Sequence, residues 1–332
     1  MLLVPLVLAF ATAAGVAEVF RRWALRRALL DVPNARSSHA IPRPRGGGVG
    51  IVTGFLVGLI FWLLAGGGLS PRALGWLTGA LLVAGISFAD DLHSLPAGLR
   101  LGVQLIGALV LTVAGVQEAD PPLLVALPLA FAWVALVTNI YNFMDGIDGL
   151  AATQAIVAGV ALALGGTVVR NPVLMAGGGL LAAAAAGFLV HNLPPARLFM
   201  GDVGSTFLGF SFAGLSLLGN LGVGGGKLPI EFGVVILAPF LFDGMVTLAR
   251  RIARGERWFE AHRSHYYQRL VIRGLSHGQV TALYTLLASI AAIAALAGLQ
   301  LDTPFRETLA VLGYVPMLLV VGLVWRLEAS RG

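Results

Sequence analysis

Long apolar runs dominate the chain, separated by short polar knots. Eleven runs read as helical spans: Leu2–Phe20, Gly46–Leu64, Ala73–Ala89, Leu101–Val116, Leu123–Val137, Leu150–Val168, Val173–Val190, Thr206–Leu221, Pro229–Leu248, Gln279–Leu299 and Leu309–Trp325. About 20 apolar residues cross a bilayer as a helix. Thr206–Leu221 is one of the shorter spans. The pattern predicts an all-α, polytopic integral membrane protein with about 11 transmembrane helices, forming one membrane-embedded domain over residues 1–332. The first run contains Ala11-Thr12-Ala13, like a leader cleavage site, but no basic segment precedes it, so it is expected to remain as a span. No internal repeat of fixed period and no linker stands out.

Composition agrees with this class. The chain is 58% hydrophobic and 11% charged, with mean hydropathy +0.88. A soluble chain of this length would expose too much apolar surface. With no Cys, disulfides and thiolate metal sites are excluded.

Charge sets the expected orientation. Seven Arg lie between Arg21 and Arg45, a cytoplasmic marker. Threading eleven spans from that loop places the N-terminus outside and the C-terminus in the cytoplasm. Of the 22 Lys and Arg, only Arg72, Arg170, Lys227 and Arg306 then fall outside. The formal charge of +6 therefore flanks membrane spans and is no nucleic-acid footprint.

The same threading brings the unusual polar chemistry to the cytoplasmic face. Asn139, Asn142, Asp145 and Asp148 recur every third residue, and a helix would line them along one slowly turning stripe. Acidic residues number only 16, and a carboxylate at the bilayer centre costs about 2.5–3.5 kcal/mol on the insertion scale. Asp90-Asp91 closes a span; two adjacent carboxylates call for a basic partner, a metal or a raised pKa. Arg100 and Gln104 on the next span are placed to face that pair. Gly201-Asp202-Val203-Gly204-Ser205 opens another span and suits a turn that contacts metal or phosphate; a plain helix cap from Asp202 or Ser205 is the alternative.

The stretch Arg250–Arg273 carries seven Arg with His262, Arg263 and His265. Two imidazoles a helical turn apart, followed by Tyr266 and Tyr267, suit gripping a diphosphate and stacking on a base or sugar. Asp243, inside an apolar run, is expected to line a cavity. The first inner loop adds Arg36-Ser37-Ser38-His39 and Pro44-Arg45-Gly46-Gly47-Gly48, either a rigid contact site or a turn into a span. Together these groups imply Mg²⁺-assisted chemistry on phosphates. A secondary transporter is the rival class, but its carboxylates would sit at midplane between repeats.

Asp90-Asp91, Asn139-x-x-Asn142-x-x-Asp145-Gly-x-Asp148-Gly-Leu150 and Gly201-Asp202-x-Gly-Ser205 resemble the polyprenyl-phosphate N-acetylhexosamine-1-phosphate transferases. These WecA/MraY-like membrane enzymes are grouped as glycosyltransferase family 4. Asp31-x-Pro33-x-x-Arg36, Pro44-x-Gly46-Gly47 and Asp243 followed by Arg250-Arg251 also fit, so the likeness runs from about Asp31 to Arg273. It implies transfer of a sugar-1-phosphate from a UDP-N-acetyl amino sugar to undecaprenyl phosphate, with release of UMP, at the cytoplasmic face of the bacterial inner membrane. It implies Mg²⁺, or Mn²⁺ in its place, held by Asp202 with Asp145. Catalytic carboxylates would be Asp90, Asp91, Asp145 and Asp148. Substrate contacts would come from Asn139, Asn142, Arg100, Asp243, His262, Arg263, His265, Gly46 and Gly47. The lipid bilayer is the medium, no nucleic acid is involved, and a homodimer is compatible with the pattern.

His262-Arg-Ser-His265 departs from the three consecutive His of the peptidoglycan branch and the His-x-His-His of the N-acetylglucosamine branch. It is more similar to the WbpL-type enzymes that start O-antigen, part of lipopolysaccharide synthesis, from N-acetylfucosamine or N-acetylquinovosamine donors.

Overall fold

The structure, a computed structural model, describes residues 2–33, 41–93, 95–115, 123–257 and 262–329. The motif Arg36-Ser37-Ser38-His39 lies outside the described residues. The chain runs through α1 (Leu3–Arg26), β1 (Leu30–Asp31), β2 (Arg43–Pro44), α2 (Val49–Leu64), α3 (Pro71–His93), α4 (Ala97–Gly115) and α5 (Leu123–Phe143). It continues through α6 (Leu150–Val168), α7 (Pro172–Asn192), α8 (Asp202–Asn220), α9 (Ile230–Ile236), α10 (Ala238–Ala253) and α11 (Tyr266–Ile272). The last elements are α12 (His277–Gly298), α13 (Thr303–Leu312) and α14 (Met317–Ala329).

This is an all-α membrane protein. Among the described residues, 6 helical segments are long and apolar enough to cross a membrane, or 7 if the bent pair α9 and α10 counts as one span. Three shorter apolar helices, Val49–Leu64, Gly98–Leu111 and Leu127–Phe143, accompany them.

One expected span is broken. The run 229–248 bends by 80° between α9 and α10. Pro239 stands in the first turn of α10, where its missing N–H cannot continue the α9 ladder. The carbonyls freed by the bend find partners from distant helices. Gln154 Nε2 donates to Ile236 O at 2.8 Å and Tyr314 Oη donates to Val234 O at 2.9 Å. Backbone groups inside a membrane require such internal partners. The final run passes from α13 to α14 through a turn at 313–316 and still forms one candidate span, Arg306–Ala329.

Small residues let the helices approach closely. On α2, Gly50, Gly54 and Gly58 meet one face of α1: an added Cβ would come within 2.7 Å of Ala13 O, 2.5 Å of Ala9 O and 2.9 Å of Pro5 O, respectively. Gly159 of α6 and Gly178 of α7 make a reciprocal contact of the same kind. Close backbone packing of this sort replaces the hydrophobic drive that is missing in lipid.

Helix α8 lies at the centre. Apart from its ends it is buried, and Phe207 packs on Phe55 while Phe212 packs on Tyr141, with centroids at 5.5 and 6.1 Å. One of the shorter expected spans is thus buried along most of its length. It also begins earlier than expected, at Asp202. The central position of α8 delivers that residue to one end of the bundle.

Candidate active site

The site is built around the first turn of α8. Gly201 adopts φ 74°, open to glycine, and an added Cβ would lie 2.6 Å from Asp91 Oδ2. The Asp91 carboxylate, from the end of α3, accepts from the N–H of Asp202 at 3.0 Å and of Val203 at 3.1 Å. It caps α8 from a different helix, satisfying donors that a helix leaves open. Neither Asp202 nor Ser205 provides that cap: Ser205 Oγ donates to Asn142 Oδ1 at 2.7 Å.

The glycine segment of the first inner loop completes the cradle. Gly47 and Gly48 donate to Phe199 O and Met200 O at 2.9 and 2.8 Å, and Phe199 donates back to Pro44 O at 2.9 Å. Arg45 donates to Asp91 O through Nε and Nη2, at 3.2 and 3.0 Å. A Cβ on Gly48 would fall 2.3 Å from the Gly204 backbone. Gly46 and Gly47 face Phe20 and the Leu198–Phe188 pair. They dock the loop beside Asp202 through backbone contacts.

Arg100 joins the remaining carboxylates. Its Nη1 lies 2.8 Å from Asp90 Oδ2 and 2.8 Å from Asp202 Oδ2. Asp90 also accepts from the Leu95 N–H at 2.5 Å. The adjacent pair Asp90-Asp91 is thus relieved in two ways, by a guanidinium and by a helix N-terminus. Gln104, expected near the same pair, instead accepts from Asn139 Nδ2 at 3.0 Å.

The Asn/Asp stripe is not continuous. Helix α5 ends at Phe143, so only Asn139 and Asn142 share its face. Asp145 follows in a turn, near enough to Asp202 and Asp91 for their charges to act on it. Burial, then these neighbours and Asp148, push its carboxyl well above the usual range.

Asp148 turns away from this group. It accepts from the Ala196 N–H at 3.0 Å and lies 3.3 Å from His277 Nδ1. Burial alone would raise its carboxyl, but His277 and Ala196 outweigh that and hold it below the ordinary value. Gly149, at φ 79°, completes the turn and donates to Asn192 Oδ1 at 2.9 Å.

Asp243 is saturated by the chain itself and lines no open cavity. Its carboxylate accepts from Tyr266 N at 2.9 Å, Tyr267 N at 3.0 Å, Tyr284 Oη at 2.5 Å and Thr247 Oγ1 at 3.2 Å, and pairs with His265 Nδ1 at 3.1 Å. It caps α11 and fixes the segment before it. The His262 and His265 rings lie 4.9 Å apart, tilted by 30°, in that segment, outside any helix, which corrects the expected helical-turn spacing. Burial first, then His265 and the nearby Arg251 and Arg250, push the His262 imidazole down to about 4. Tyr266 is buried between Arg250 and Arg269, and Tyr267 packs over Gly146. Tyr267 Oη donates to Phe143 O at 3.0 Å. Both rings are therefore committed inside the protein and are not free to stack on a base. Arg263 lies in the same segment, between the two imidazoles.

One end of the bundle thus gathers Asp90, Asp91, Arg100, Asn142, Asp145 and Asp202, with the His262–His265 segment joined to the Asp145 turn through Tyr267. The model of glycosyl transferase family 4 matches residues 73–220, the stretch holding all six. A Mycolicibacterium smegmatis phospho-N-acetylmuramoyl-pentapeptide-transferase is 32% identical over 310 residues, covering 76% of this chain and 84% of that protein. The chain belongs to this family.

Other family members are similar along most of the chain. A Bacillus subtilis protein named "Probable undecaprenyl-phosphate N-acetylglucosaminyl 1-phosphate transferase" is 29% identical, covering 89% of this chain and 84% of that protein. The Mycobacterium tuberculosis decaprenyl-phosphate N-acetylglucosaminephosphotransferase is also 29% identical, covering 88% and 80%. The general reaction of these relatives is sugar-phosphate transfer to a polyprenyl phosphate, and this chain is a membrane transferase of the same family.

For a divalent cation the candidate ligands are Asp202, Asp90 and Asp145. Among the described residues no three acidic or His side chains form a ready-made cage. That donor set fits an ion of the Mg²⁺ type, which takes one or two carboxylates and completes its shell with water and substrate phosphates. Arg100 already marks a position between two carboxylates where positive charge is favoured.

Sequence reasoning did not single out Asn192, His277 or Tyr284. Asn192 ends an apolar run, and such an isolated polar residue is the one signal that pointed to it. His277 and Tyr284 acquire roles only through contacts with residues more than 40 positions away.

Proposed function

We propose that this family member transfers an N-acetylhexosamine-1-phosphate from a UDP-N-acetyl amino sugar to undecaprenyl phosphate, releasing UMP and forming undecaprenyl-diphospho-sugar. The observation that carries the reading is the Asp90–Arg100–Asp202 bridge, with Asp145 near enough for the Asp202 charge to act on it. An oxygen of the lipid phosphate attacks the sugar-bearing phosphorus. A new phosphoanhydride forms there as the bond to the UMP phosphate breaks, and UMP leaves with that bonding pair. One anhydride replaces another, so the step is nearly isoenergetic. An anionic lipid phosphate needs little help from a base, which favours direct attack over a covalent aspartyl intermediate.

Asp202, with Asp145, would hold Mg²⁺, which supplies neutralisation of the diphosphate charge. Asp90 positions the lipid phosphate through Arg100, and Asp91 acts as a positioning residue for α8. Asn139 and Asn142 keep the α5 face in place. His262, Arg263 and His265 offer the donor side a cationic, aromatic wall.

We also assign eleven spans in one membrane unit, with the N-terminus outside and the site at the cytoplasmic face of the bacterial inner membrane. Positive charge concentrated on that side supports the orientation. O-antigen or another surface polysaccharide is the destination of the product.

The test is UMP release by purified protein with undecaprenyl phosphate and Mg²⁺, across a panel of UDP-N-acetyl sugars, with a chelator control. Lipid-dependent, chelator-sensitive UMP from one donor is expected. Solute flux without UMP would replace this reading with transport.

A further inference from the structure

Arg100 uses its guanidinium in an unusual way. Both of its carboxylate contacts run through one nitrogen, Nη1, at 2.8 Å to Asp90 and 2.8 Å to Asp202. Among the described residues its buried Nε has no hydrogen-bond partner. An arginine serving as a permanent carboxylate clamp presents two parallel N–H groups. Here a single N–H₂ group is wedged between two oxygens from different helices, and the two carboxylates are not met by a parallel fork. The side chain is a third exposed, so it has room to leave.

Its surroundings show what such a charge is for. Asp91 is spent on the N–H groups of Asp202 and Val203, and Asp90 keeps the Leu95 N–H through its other oxygen. Asp145 stands close enough for the charges of Asp202 and Asp91 to act on it. Without a cation, Asp90 and Asp202 would face one another uncompensated, which is costly away from water.

We propose that Arg100 is an internal counter-cation: it occupies the divalent-ion position of the resting protein and must release Asp202 before the ion binds. The exchange puts a doubly charged ion where a singly charged guanidinium stood at Asp202 and frees that guanidinium beside the incoming phosphates. It makes metal entry a competition within the protein, so the ion binds weakly alone and better together with a diphosphate that accepts the displaced arginine. This inference rests on the assignment of Asp202 as the metal ligand.

The test uses full-length protein in detergent micelles and Mn²⁺ alone, with free Mn²⁺ read by electron paramagnetic resonance. Arg100→Gln is expected to bind Mn²⁺ about tenfold more tightly than the parent, a coupling in the usual range for two ligands sharing one site. Arg100→Lys, which keeps the charge, should bind as the parent does. Asp202→Asn should lose binding. A merely structural arginine would weaken binding when removed, so the direction of change discriminates. Unchanged, weaker or undetectable binding in Arg100→Gln, with Asp202→Asn still impaired relative to the parent, overturns the counter-cation alone. Parent-like binding in Asp202→Asn overturns the metal assignment itself.

A measurement on the unaltered protein covers the case of a poorly folding variant. Phenylglyoxal labelling of Arg100, read by peptide mass spectrometry, should rise several-fold when Mn²⁺ is added. No rise, or protection, overturns the proposal.

Discussion

Replacing Asp243 by Asn changes one oxygen to an amide and alters the volume hardly at all, yet it should be among the most damaging exchanges in the chain. Asp243 is 1% exposed and its two oxygens serve only donors. At the Oδ2 position an amide would face the Tyr267 N–H and the Tyr284 hydroxyl. The hydroxyl can rotate and accept, but the backbone N–H cannot, and a buried donor left unpaired costs about 1–3 kcal/mol. The opposite flip strands the Tyr266 N–H in the same way. Loss of the charge also weakens the remaining bonds, since those to ionised groups are about twice as strong as neutral ones. Together these give about 2–4 kcal/mol. Denaturant unfolding in mixed micelles would measure it. Hydrogen exchange over 262–272 should show that α11 and the His262–His265 segment loosen first. Because that segment reaches the Asp145 turn through Tyr267, the KM for the nucleotide sugar should rise while Mn²⁺ binding at Asp202 is kept. An Asp243→Asn protein within about 0.5 kcal/mol of the parent, the scale of a surface substitution, and with unchanged exchange, would refute the anchoring role.

Two further outcomes follow from the same geometry. Gly48→Ala should cost about 1–3 kcal/mol through overpacking and abolish UMP release, because its Cβ falls 2.3 Å from the Gly204 backbone and must push the inner loop off α8. Gly85→Ala, with nothing within 4 Å of its Cβ, is the neutral control, and equal UMP rates for the two variants would contradict the cradle. Asp148, held below its ordinary value near 3.8, stabilises the folded protein above that pH, and the contribution is lost as pH falls through the lower folded value. His277→Gln should therefore flatten the acid limb of the stability curve, and an unaltered acid limb would show that the pair does not matter.

The sequence by itself determined the class of this protein and named most of the polar residues that gather at its candidate site. Runs of apolar residues too long for a soluble core leave only membrane helices, and carboxylates too costly to leave in lipid had to gather where charge is tolerated. Asp90, Asp91, Asn142, Asp145 and Asp202 were all legible in that way. Their division of labour was not. Asp91 and Asp202 look alike in sequence, yet one caps a helix and the other faces Arg100, because only the packing of α3 against α8 decides which oxygen meets an N–H. Asp148 keeps the three-residue spacing of the stripe but leaves it, since α5 ends at Phe143 and periodicity carries no information past a helix end. Asp243 reads as a cavity carboxylate until Tyr284, 41 residues further on, supplies one of its donors. The bend at Pro239 is tolerated only because Gln154 and Tyr314 are delivered to the freed carbonyls by other helices. Local pattern fixes what a segment must bury or expose; the partner that makes a buried polar group affordable comes from elsewhere in the chain, and the tertiary structure alone decides it.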